Sequence, residues 1–472
     1  MCDIGIIGMA VMGQNLALNI AKKGYSVAVF NRTPSKTHDV MKRRAAHEAL
    51  SATYNMEEFI SLLQRPRRIM LMVKAGQPVD DIIQTLTPYL EKGDLVIDGG
   101  NSYFKDTERR YRDAESHGLL FLGTGISGGE YGALHGPSIM PGGHRAGYDL
   151  VKDIFEKISA QVDDGPCCTF LGSGAAGHFV KMVHNGIEYA FMQSIAECYD
   201  LMRKIYGLPA PEIADIFDDW NATDELNSFL LEITATVLRK RDPETGNFLV
   251  DMILDEAEQK GTGKWTSQAA YDFGVPTPVV NQSVIARTFS SFKETRNRLS
   301  LQFGDPFQTS SSSPQLKKML QVLKNALLVS EIVAFSEGMH FLRTASHEMG
   351  FDLDLSQVAR IWKGGCILRT TLLKRIQKAL GQRELELLLE SPEFFPEIQR
   401  SLESLRNAVI YGIQNGVPTP CLSATLTYIE SFTSQLLPAN LIQAQRDYFG
   451  AHTYRRIDRE GIFHTSWERE ES

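Results

Sequence analysis

Four polar residues suited to proton transfer recur at helical spacing in the middle of the chain. Lys181, His184, Asn185 and Glu188 stand at positions i, i+3, i+4 and i+7 of the segment HFVKMVHNGIEYAFMQ, and such positions share one face of an α-helix. A lysine amine in a cleft has a lowered pKa and can act as a general base, and a carboxylic acid on a following turn can return a proton. The spacing therefore predicts Lys181 as base and Glu188 as acid. The alternative is a solvated polar stripe, which long helices commonly carry.

The segment around these residues is predicted to form one long helix. An apolar residue recurs every four positions within 178–207, at Phe179, Val183, Ile187, Phe191 and Ile195. Just before it, GSGAAG at 172–177 is a perfect G-x-G-x-x-G. A dinucleotide-binding turn needs a helix of about a dozen residues and then a second strand, whereas no strand follows here. We therefore interpret 172–177 as the flexible entry into the helix and not as a cofactor site.

The elements that must position this helix begin with a predicted sheet. Upstream of residue 170, short apolar runs alternate with helix-like segments, and the runs are IGIIG (4–8), YSVAVF (25–30), RIMLMV (68–73), DLVIDGG (94–100) and GLLFLG (118–123). Such alternation predicts a parallel sheet wrapped by helices, that is, an α/β Rossmann-type domain.

The turn after the first apolar run carries a dinucleotide fingerprint with alanine in place of the middle glycine. Gly8 allows a tight turn, Ala10 still lets a pyrophosphate approach the backbone, and Gly13 opens a helix whose amino-terminal amides favour phosphates. The predicted cofactor contacts are therefore Gly8, Met9, Ala10, Val11, Met12 and Gly13. The end of the third predicted strand is expected to line the same cofactor, with Val73, Lys74 and Ala75.

The end of the second predicted strand indicates which dinucleotide binds. An acidic residue there would bind a free ribose 2′-hydroxyl, but the sequence has Asn31, Arg32 and Thr33. An arginine is a planar, permanently charged partner for a 2′-phosphate. The sequence therefore favours NADP over NAD. The alternative is an ordinary surface arginine in the turn before Pro34.

The chain after residue 177 is predicted to be helical and duplicated. GVPTP occurs at 274–278 and at 416–420, an offset of 142 residues, and Trp220 and Trp362 have the same offset. Shared offsets predict a repeated helical unit, roughly 178–297 and 318–437. Of the polar stripe only the asparagine recurs, because the matching positions are Gln321, Lys324, Asn325 and Leu328. The predicted organisation is a Rossmann-like domain over 1–176, a duplicated all-helical domain over 177–437 and a tail over 438–472.

The tail carries more apolar and aromatic residues than a disordered arm. The stretch PANLIQAQRDYFGAHTYRRIDREGIF (438–463) has glycines at 450 and 461 and fits neither a long amphipathic helix nor a low-hydrophobicity arm. From the residues alone, two sites of docking remain open, one on the same subunit and one on a neighbouring copy.

Composition excludes several classes of function. The net charge of −8 argues against a general nucleic-acid surface. The six cysteines show no C-x-x-C pair and no metal-ligand spacing, so we expect reduced thiols and no metal. The amino terminus lacks the basic region of a signal peptide, and we expect no stretch near the roughly 18 apolar residues of a membrane span. These features predict a cytoplasmic protein.

Several longer motifs resemble one family. GMAVMGQNLALNI, NRT, DGGNS, GISGGEYGALHGPSIMPGG, KMVHNGIEYAFMQ, QKGTGKWT and QAQRDYFGAHTY are similar to the 6-phosphogluconate dehydrogenase family, within the wider β-hydroxyacid dehydrogenase group. The motifs span residues 5–454, nearly the entire chain, and we see only conservative changes, such as Met9. The wider group shares the SGG and Lys-x-x-x-Asn elements but lacks the duplicated helical domain and the carboxyl-terminal motif.

The resemblance implies NADP-dependent oxidative decarboxylation of 6-phospho-D-gluconate in the pentose phosphate pathway and gluconate utilisation, without a metal. Lys181 would take the proton of the 3-hydroxyl, and Glu188 would protonate C1 of the enediol that remains after carbon dioxide leaves. The sugar acid would be held by Asn101, which also lies by the cofactor, and by Ser127, Gly128, Gly129, His184 and Asn185. Its phosphate would be held by Tyr189, Lys260, Thr262 and Arg287. In that family the tail enters the neighbouring subunit, so Arg446 and His452 would complete the partner's site in a homodimer.

Two other functions compete with this interpretation. A shorter hydroxyacid dehydrogenase acting on an unphosphorylated substrate would need neither the phosphate pocket nor the duplicated domain. A non-catalytic NADP-binding scaffold would have no reason to keep Lys181 and Glu188 together.

Overall fold

A seven-stranded sheet forms the amino-terminal part of the computed structural model. The structure describes residues 1–42, 49–259, 261–304, 316–382 and 385–467. The strands are β1 (Ile4–Ile7), β2 (Val27–Phe30), β3 (Leu50–Thr53), β4 (Arg68–Leu71), β5 (Leu95–Asp98), β6 (Leu120–Ile126) and β7 (Ile139–Gly143). Their order is β3-β2-β1-β4-β5-β6-β7, with every pair parallel except β6 and β7. The predicted Rossmann-type architecture is confirmed, since the first six strands have the order of that fold.

Helices cover both faces of this sheet. They are α1 (Val11–Lys22), α2 (Pro34–Lys42), α3 (Met56–Ser61), α4 (Gln77–Leu86), α5 (Phe104–Ser116), α6 (Gly129–His135) and α7 (Arg145–Ile158). Ile4 and Ile6 lie in one apolar cluster with α1 and α7, and Ile7 lies in a second cluster with α3 and α4. Successive strand residues point to opposite faces, so the continuous apolar runs of the sequence reflect burial on both sides.

Two strands are absent from the sequence-based prediction. β3 is the short segment LSAT, and β7 is IMPGG. Neither has the long apolar run that marks the others, because one is a four-residue edge strand and the other is rich in Gly and Pro. The run at 68–73 is consequently the fourth strand and not the third. The five predicted strands are parallel, as expected, and the additional strand β7 pairs antiparallel to β6.

The chain continues as a short two-stranded ribbon and then as helices. The ribbon consists of β8 (Gln161–Val162) and β9 (Gly165–Pro166). The first group of helices is α8 (Ala176–Tyr206), α9 (Ala210–Asn221), α10 (Phe229–Arg239), α11 (Leu249–Met252), α12 (Thr262–Asp272), α13 (Pro278–Ser290) and α14 (Lys293–Phe303). The second group is α15 (Leu316–Met349), α16 (Leu355–Ile361), α17 (Leu372–Gln382), α18 (Phe395–Gln414) and α19 (Pro420–Thr433). Each group opens with a helix of more than 30 residues, which agrees with the predicted duplication.

The helix α15 corrects one expectation about membrane spans. By length and composition alone it is apolar enough to cross a membrane, although no such stretch is expected from the sequence. In the structure, 78% of its most apolar window is buried inside the protein. A long apolar helix enclosed by other helices on all sides is what a domain core requires.

In each helical copy, a buried glutamate caps the start of a helix that belongs to the other copy. Glu197 on α8 accepts the backbone N–H groups of Cys421 and Leu422 at 2.8 and 3.0 Å, at the start of α19. Glu337 on α15 accepts those of Val279 and another α13 residue at 2.8 and 3.1 Å. Each repeated GVPTP therefore leads into a helix whose free amides bind a glutamate of the other copy. The repeat of the motif and the repeat of the glutamate, at Glu197 and Glu337, thus have the same structural cause, which is this reciprocal capping.

The chain divides into two compact units, Met1–Thr425 and Leu426–Ser472. The second unit contains α20 (Ala439–Gly450) and an antiparallel bridge between Tyr454 and Phe463. The buried carboxylate of Asp447 binds these parts together, because it accepts from four donors: the backbone N–H groups of Thr453 and Thr465, the Nε1–H of Trp467 and the ring of His464. The three domain boundaries drawn from the sequence stay predictions.

Candidate active site

Lys181 lies at the interface between α8 and the carboxyl end of β6. The helix comes close to the strand because Gly125 has no side chain: a Cβ there would be 2.4 Å from the Cβ of Lys181. The lysine is only 6% exposed. Burial lowers the pKa of its amine, and the negative charge of Glu188 opposes that effect. A buried amine with a lowered pKa has the property that a general base requires.

The predicted polar stripe is brought together around His184. Its Nδ1 lies 3.5 Å from Nζ of Lys181 and 3.1 Å from Oδ1 of Asn185, and its Nε2 lies 3.5 Å from Oγ of Ser127. Burial, followed by the charge of Lys181, holds the pKa of His184 well below its usual range. Asn185 in turn donates to Oγ1 of Thr262 at 3.0 Å. The alternative of a solvated stripe is therefore excluded, since these side chains are buried.

Glu188 lies at the more open end of the stripe. Its Oε2 is 3.8 Å from Nδ1 of His184, and 15% of its side chain is exposed. Burial raises the pKa of this carboxyl group, whereas Lys181 and Arg287 lower it. The guanidinium of Arg287 lies 3.4 Å from the ring centroid of Tyr189, a stacked cation–π contact. A carboxyl group with a raised pKa thus adjoins a cation.

The turn after β6 places three predicted residues beside the stripe. Ser127 is buried, and Gly128 and Gly129 follow with φ of +100° and +61°. A side chain at Gly128 would also come 2.6 Å from the carbonyl oxygen of Gly365. The helix α6 begins at Gly129 without a side-chain cap, so the first amides of that helix can bind an oxygen-rich ligand.

The turn between β1 and α1 fits a dinucleotide. Gly8 has φ of +105°, and a Cβ there would lie 2.4 Å from the carbonyl oxygen of Met72. A Cβ at Gly13 would lie 1.9 Å from the carbonyl oxygen of Gly8, so the helix closes directly on the turn. The start of α1 has neither a side-chain cap nor an acidic residue in its first turn. Its exposed amides and dipole are therefore available to phosphates, as NADP requires.

The remaining cofactor predictions lie around the same edge of the sheet. Asn31 accepts the backbone N–H of Met9 at 2.9 Å, which ties the end of β2 to the first turn. Arg32 and Thr33 are exposed, and among the described residues Arg32 has no hydrogen-bonded or ion-paired partner. Carboxyl ends of parallel strands share one edge of a sheet. The segments after β4 and β5 therefore lie with the turn after β1, and they carry Val73, Lys74, Ala75 and Asn101.

Sequence reasoning missed a contribution from the second helical copy. The segment 362–366 follows α16, and the ring of Trp362 meets His184 edge to face at 5.4 Å. The charge of Lys181 also lowers the pKa of the buried Cys366 thiol, although burial raises that pKa to about 12. In the sequence, Trp362 stands out only as a mark of the repeat. The composition of the segment, WKGGC, contains a glycine pair that signals close approach of two backbones.

Three predicted substrate contacts are not carried by the described part of the first unit. Lys260 lies outside the described residues. Arg446 is on α20 and His452 follows that helix, so both belong to the second unit. Among the described residues no group of three or more His, Cys, Asp or Glu is placed to hold a metal ion, and all six cysteines are free and buried.

The fold and site define a class of protein. A Rossmann-type sheet with a phosphate-binding turn, joined to a helical domain that supplies a buried lysine and an acid, is typical of dehydrogenases that use a nicotinamide dinucleotide. The family model described as the NAD binding domain of 6-phosphogluconate dehydrogenase matches residues 3–172, and the model of the C-terminal domain of 6-phosphogluconate dehydrogenase matches residues 177–467. The chain belongs to the 6-phosphogluconate dehydrogenase family.

Individual relatives agree over the full length. The NADP(+)-dependent, decarboxylating 6-phosphogluconate dehydrogenase of Bacillus subtilis is 49% identical over 98% of this chain and 99% of its own. The decarboxylating enzyme of Escherichia coli is 48% identical over the same shares. The solved structure of Plasmodium falciparum 6-phosphogluconate dehydrogenase, described with NADP+ as its cofactor and 6-phosphogluconate as its substrate, has a TM-score of 0.95 and 46% identity. It covers 99% of this chain and 100% of that one.

Proposed function

We propose that the protein catalyses the NADP-dependent oxidative decarboxylation of 6-phospho-D-gluconate to D-ribulose 5-phosphate, carbon dioxide and NADPH. The observation that carries this proposal is the buried pair of Lys181 and Glu188, whose pKa values are shifted in opposite directions within one group of polar side chains. The identity of nearly half of all residues with decarboxylating enzymes supports the same reaction.

The oxidation needs a base at the 3-hydroxyl group. Neutral Lys181 takes the hydroxyl proton, and the chemistry that bound NADP+ would supply is a hydride acceptor for C3. The lowered pKa of the amine keeps a larger neutral fraction at physiological pH than a free lysine has. Burial lowers the pKa of His184, so its ring is neutral. A neutral ring can donate or accept a hydrogen bond and does not compete with Glu188 as a proton donor. The product of this step is a 3-keto acid.

Decarboxylation follows because the ketone is β to the carboxylate. The C1–C2 bond breaks, its electron pair moves toward the ketone oxygen, and the protonated amine of Lys181 stabilises the developing oxyanion. Carbon dioxide leaves, and Lys181 returns its proton to the oxyanion, which gives the enediol. Glu188, whose pKa is raised by burial, donates a proton to the former C2, which becomes C1 of ribulose 5-phosphate. Lys181 takes the proton of the enediol hydroxyl in the same step, and transfer of this proton to Glu188 restores both groups.

The other predicted residues bind the substrate in this proposal. Asn101, Ser127, Gly128, Gly129, His184 and Asn185 hold the sugar acid by hydrogen bonds. The phosphate is held by Tyr189, Lys260, Thr262 and Arg287. Arg287 is suited to that role because its guanidinium is oriented by stacking on Tyr189, and planar donors bind phosphate in pairs of hydrogen bonds.

The dinucleotide is held by the first turn and by the ends of β2, β4 and β5. In this proposal the ribose 2′-phosphate binds Arg32, whose charge is exposed and without a partner among the described residues. Asn31 and Thr33 hold that turn, and the contacts after β4 are Val73, Lys74 and Ala75.

A homodimer with shared active sites completes the proposal. The second unit exposes many apolar side chains, among them Leu436, Ile442, Tyr448 and Phe449, and a surface of this kind favours association. In the proposed dimer, the tail of one subunit brings Arg446 to the substrate phosphate of its partner and His452 to the sugar. The proposed compartment is the cytoplasm, where six free thiols remain reduced.

One assay tests the reaction. Purified protein is mixed with NADP+ and 6-phosphogluconate, and NADPH absorbance and carbon dioxide release are followed together. We expect one carbon dioxide per NADPH, and Lys181→Ala should abolish both. Lys204→Ala, at the other end of α8, is the matched control and should keep activity. NADPH without carbon dioxide, or equal rates with unphosphorylated gluconate, would contradict the proposal.

A further inference from the structure

Two buried arginine–aspartate pairs lie at opposite ends of the parallel strands, one at the amino ends of β4 and β5 and one at the carboxyl end of β5. At the amino edge, Arg67 donates from Nη1 to Oδ2 of Asp94 at 2.7 Å, and its backbone N–H donates to Oδ1 of the same carboxylate at 2.7 Å. At the carboxyl edge, Arg110 on α5 contacts Asp98, the last residue of β5. The side chains of Arg67 and Arg110 are only 8% and 2% exposed. The carboxyl edge is the one that carries the proposed cofactor turn.

Arg110 uses its whole guanidinium to connect two loops. In the segment after β4, Nε and Nη2 donate to the two carboxylate oxygens of Asp80, in the first turn of α4, at 2.8 and 2.9 Å. Nη2 also donates to the carbonyl of Gly76, in the loop before that helix, at 3.0 Å. On the loop after β5, Nη1 lies 3.3 Å from Oδ2 of Asp98 and 3.4 Å from Oγ of Ser102.

The acceptors of Arg110 adjoin the residues proposed to hold the cofactor. Gly76 immediately follows the segment 73–75. Asp98 accepts the backbone N–H of Gly100 at 3.1 Å and the hydroxyl of Ser102 at 2.6 Å, so it holds the two neighbours of Asn101. Among the described residues, no hydrogen bond or ion pair joins Arg110 to the proposed cofactor turn or to α8. Its hydrogen bonds reach the site through the segments that follow β4 and β5.

We propose that Arg110 is a positioning residue for the dinucleotide, which sets the separation of the loops after β4 and β5 and so places residues 73–75 and Asn101. The inference rests on the proposed function, since it concerns the same cofactor. Five N–H donors in one rigid plane reach both loops at once, and a lysine ammonium cannot reproduce that geometry. Small misplacements of groups that hold a reactant cost rates out of proportion to their size.

The test compares the two edges of the sheet. Arg110→Lys, Arg110→Met and the milder Asp80→Asn are compared with Arg67→Met, which removes an equally buried arginine–aspartate pair away from the cofactor. For each protein we would measure the Kd for NADP+ by calorimetry, the KM for the phosphorylated sugar acid, kcat and the Tm. Both arginine-to-methionine changes should lower the Tm.

Only the Arg110 and Asp80 variants should weaken the dinucleotide selectively. We expect the Kd for NADP+ to rise roughly 10- to 100-fold for Arg110→Met and less for Arg110→Lys, in keeping with the cost of misplaced binding groups. The KM for the phosphorylated sugar acid should change much less. Equal loss of NADP+ binding in Arg67→Met, or unchanged binding in Arg110→Lys and Asp80→Asn, would overturn the inference. If the wild-type protein itself failed to bind NADP+, the proposed function would fail instead.

Discussion

At the scale of single residues, the chemistry depends on how Lys181 and Glu188 influence each other. Burial opposes the charged form of both, while each opposite charge favours ionisation of the other. Burial therefore favours the neutral form of both groups, and their mutual attraction opposes it. When a reaction step changes the charge of Lys181 or Glu188, the pKa of the other group shifts. This coupling suits a mechanism in which one group takes a proton and the other gives one.

Removing the charge of Glu188 should move the pH dependence of hydride transfer to lower pH. The glutamate charge raises the pKa of Lys181, so Glu188→Gln lowers that pKa further and neutral lysine persists at lower pH. The ascending limb of the pH profile should therefore shift to the acid side, while turnover falls because C1 is no longer protonated efficiently. Single-turnover NADP+ reduction across a pH range from about 5.5 to about 9.5, which spans the ordinary pKa of histidine and approaches that of lysine, measures this shift. A limb that moved toward alkaline pH would contradict the assignment of Lys181 as base.

Arg32 should decide between the two dinucleotides. Only NADP carries the 2′-phosphate, so Arg32→Glu should raise the KM for NADP strongly and that for NAD far less. Loss of a charge-assisted contact of about 1.5–3 kcal/mol corresponds to roughly 10- to 150-fold. Steady-state kinetics with both cofactors provides the measurement, and Lys36→Glu, an exposed change on α2, is the control. Equal losses with NAD and NADP would show that Arg32 does not bind the phosphate.

At the scale of elements, helix α8 connects the site to the duplicated core. Its first half carries the polar stripe, and its second half carries Glu197, which caps α19 in the other copy. The matching Glu337 caps α13. Burial raises the pKa of these two carboxyl groups to about 7 and about 8. Because the two copies cap each other, neither has its helix ends satisfied alone.

Removing one of these caps should destabilise the helical domain. Glu197→Ala leaves two buried amides of α19 without an acceptor, and each unsatisfied donor costs about 1–3 kcal/mol. Urea unfolding should therefore show a loss of roughly 2–6 kcal/mol, whereas the exposed Asp219→Ala should stay within about 0.5 kcal/mol. A loss no larger than that of Asp219→Ala would mean that the cap is dispensable.

The pKa of Glu197 also gives the sign of its pH dependence. A folded pKa raised above the unfolded value means that wild-type stability falls as pH rises from about 4.5 toward about 7. Glu197→Ala removes this ionisation, so the difference in stability between the two proteins should be larger at about pH 5 than at about pH 8. A difference that grew with pH would contradict the raised pKa.

At the scale of the whole molecule, the second compact unit has a buried centre of its own, the carboxylate of Asp447. Asp447 collects its four donors from within Leu426–Ser472, next in sequence to Arg446. In the proposed dimer this unit completes the partner's site, so the dimer is the smallest active form.

Mixed dimers test this sharing of sites. Lys181→Ala and Arg446→Ala subunits are inactive alone in this proposal, but each mixed dimer contains one site with both residues intact. Random exchange of equal amounts should restore about a quarter of the wild-type sites. Activity is measured after exchange, with native mass spectrometry showing that mixed dimers form. Mixed dimers without activity would mean that each tail serves its own chain.

Local patterns along the chain were sufficient for the cofactor turn, the helix of the polar stripe and the duplication. Each depends on residues close in sequence, such as the glycines at 8 and 13 or the four-residue period of α8, or on a repeat that is visible in the letters. The seventh, antiparallel strand, the segment 362–366 beside His184, the exchanged glutamate caps and the grip of Arg110 on two loops were decided only by the tertiary structure. These features join residues far apart in sequence, and no local period records which distant backbone amide or carboxylate a side chain will meet.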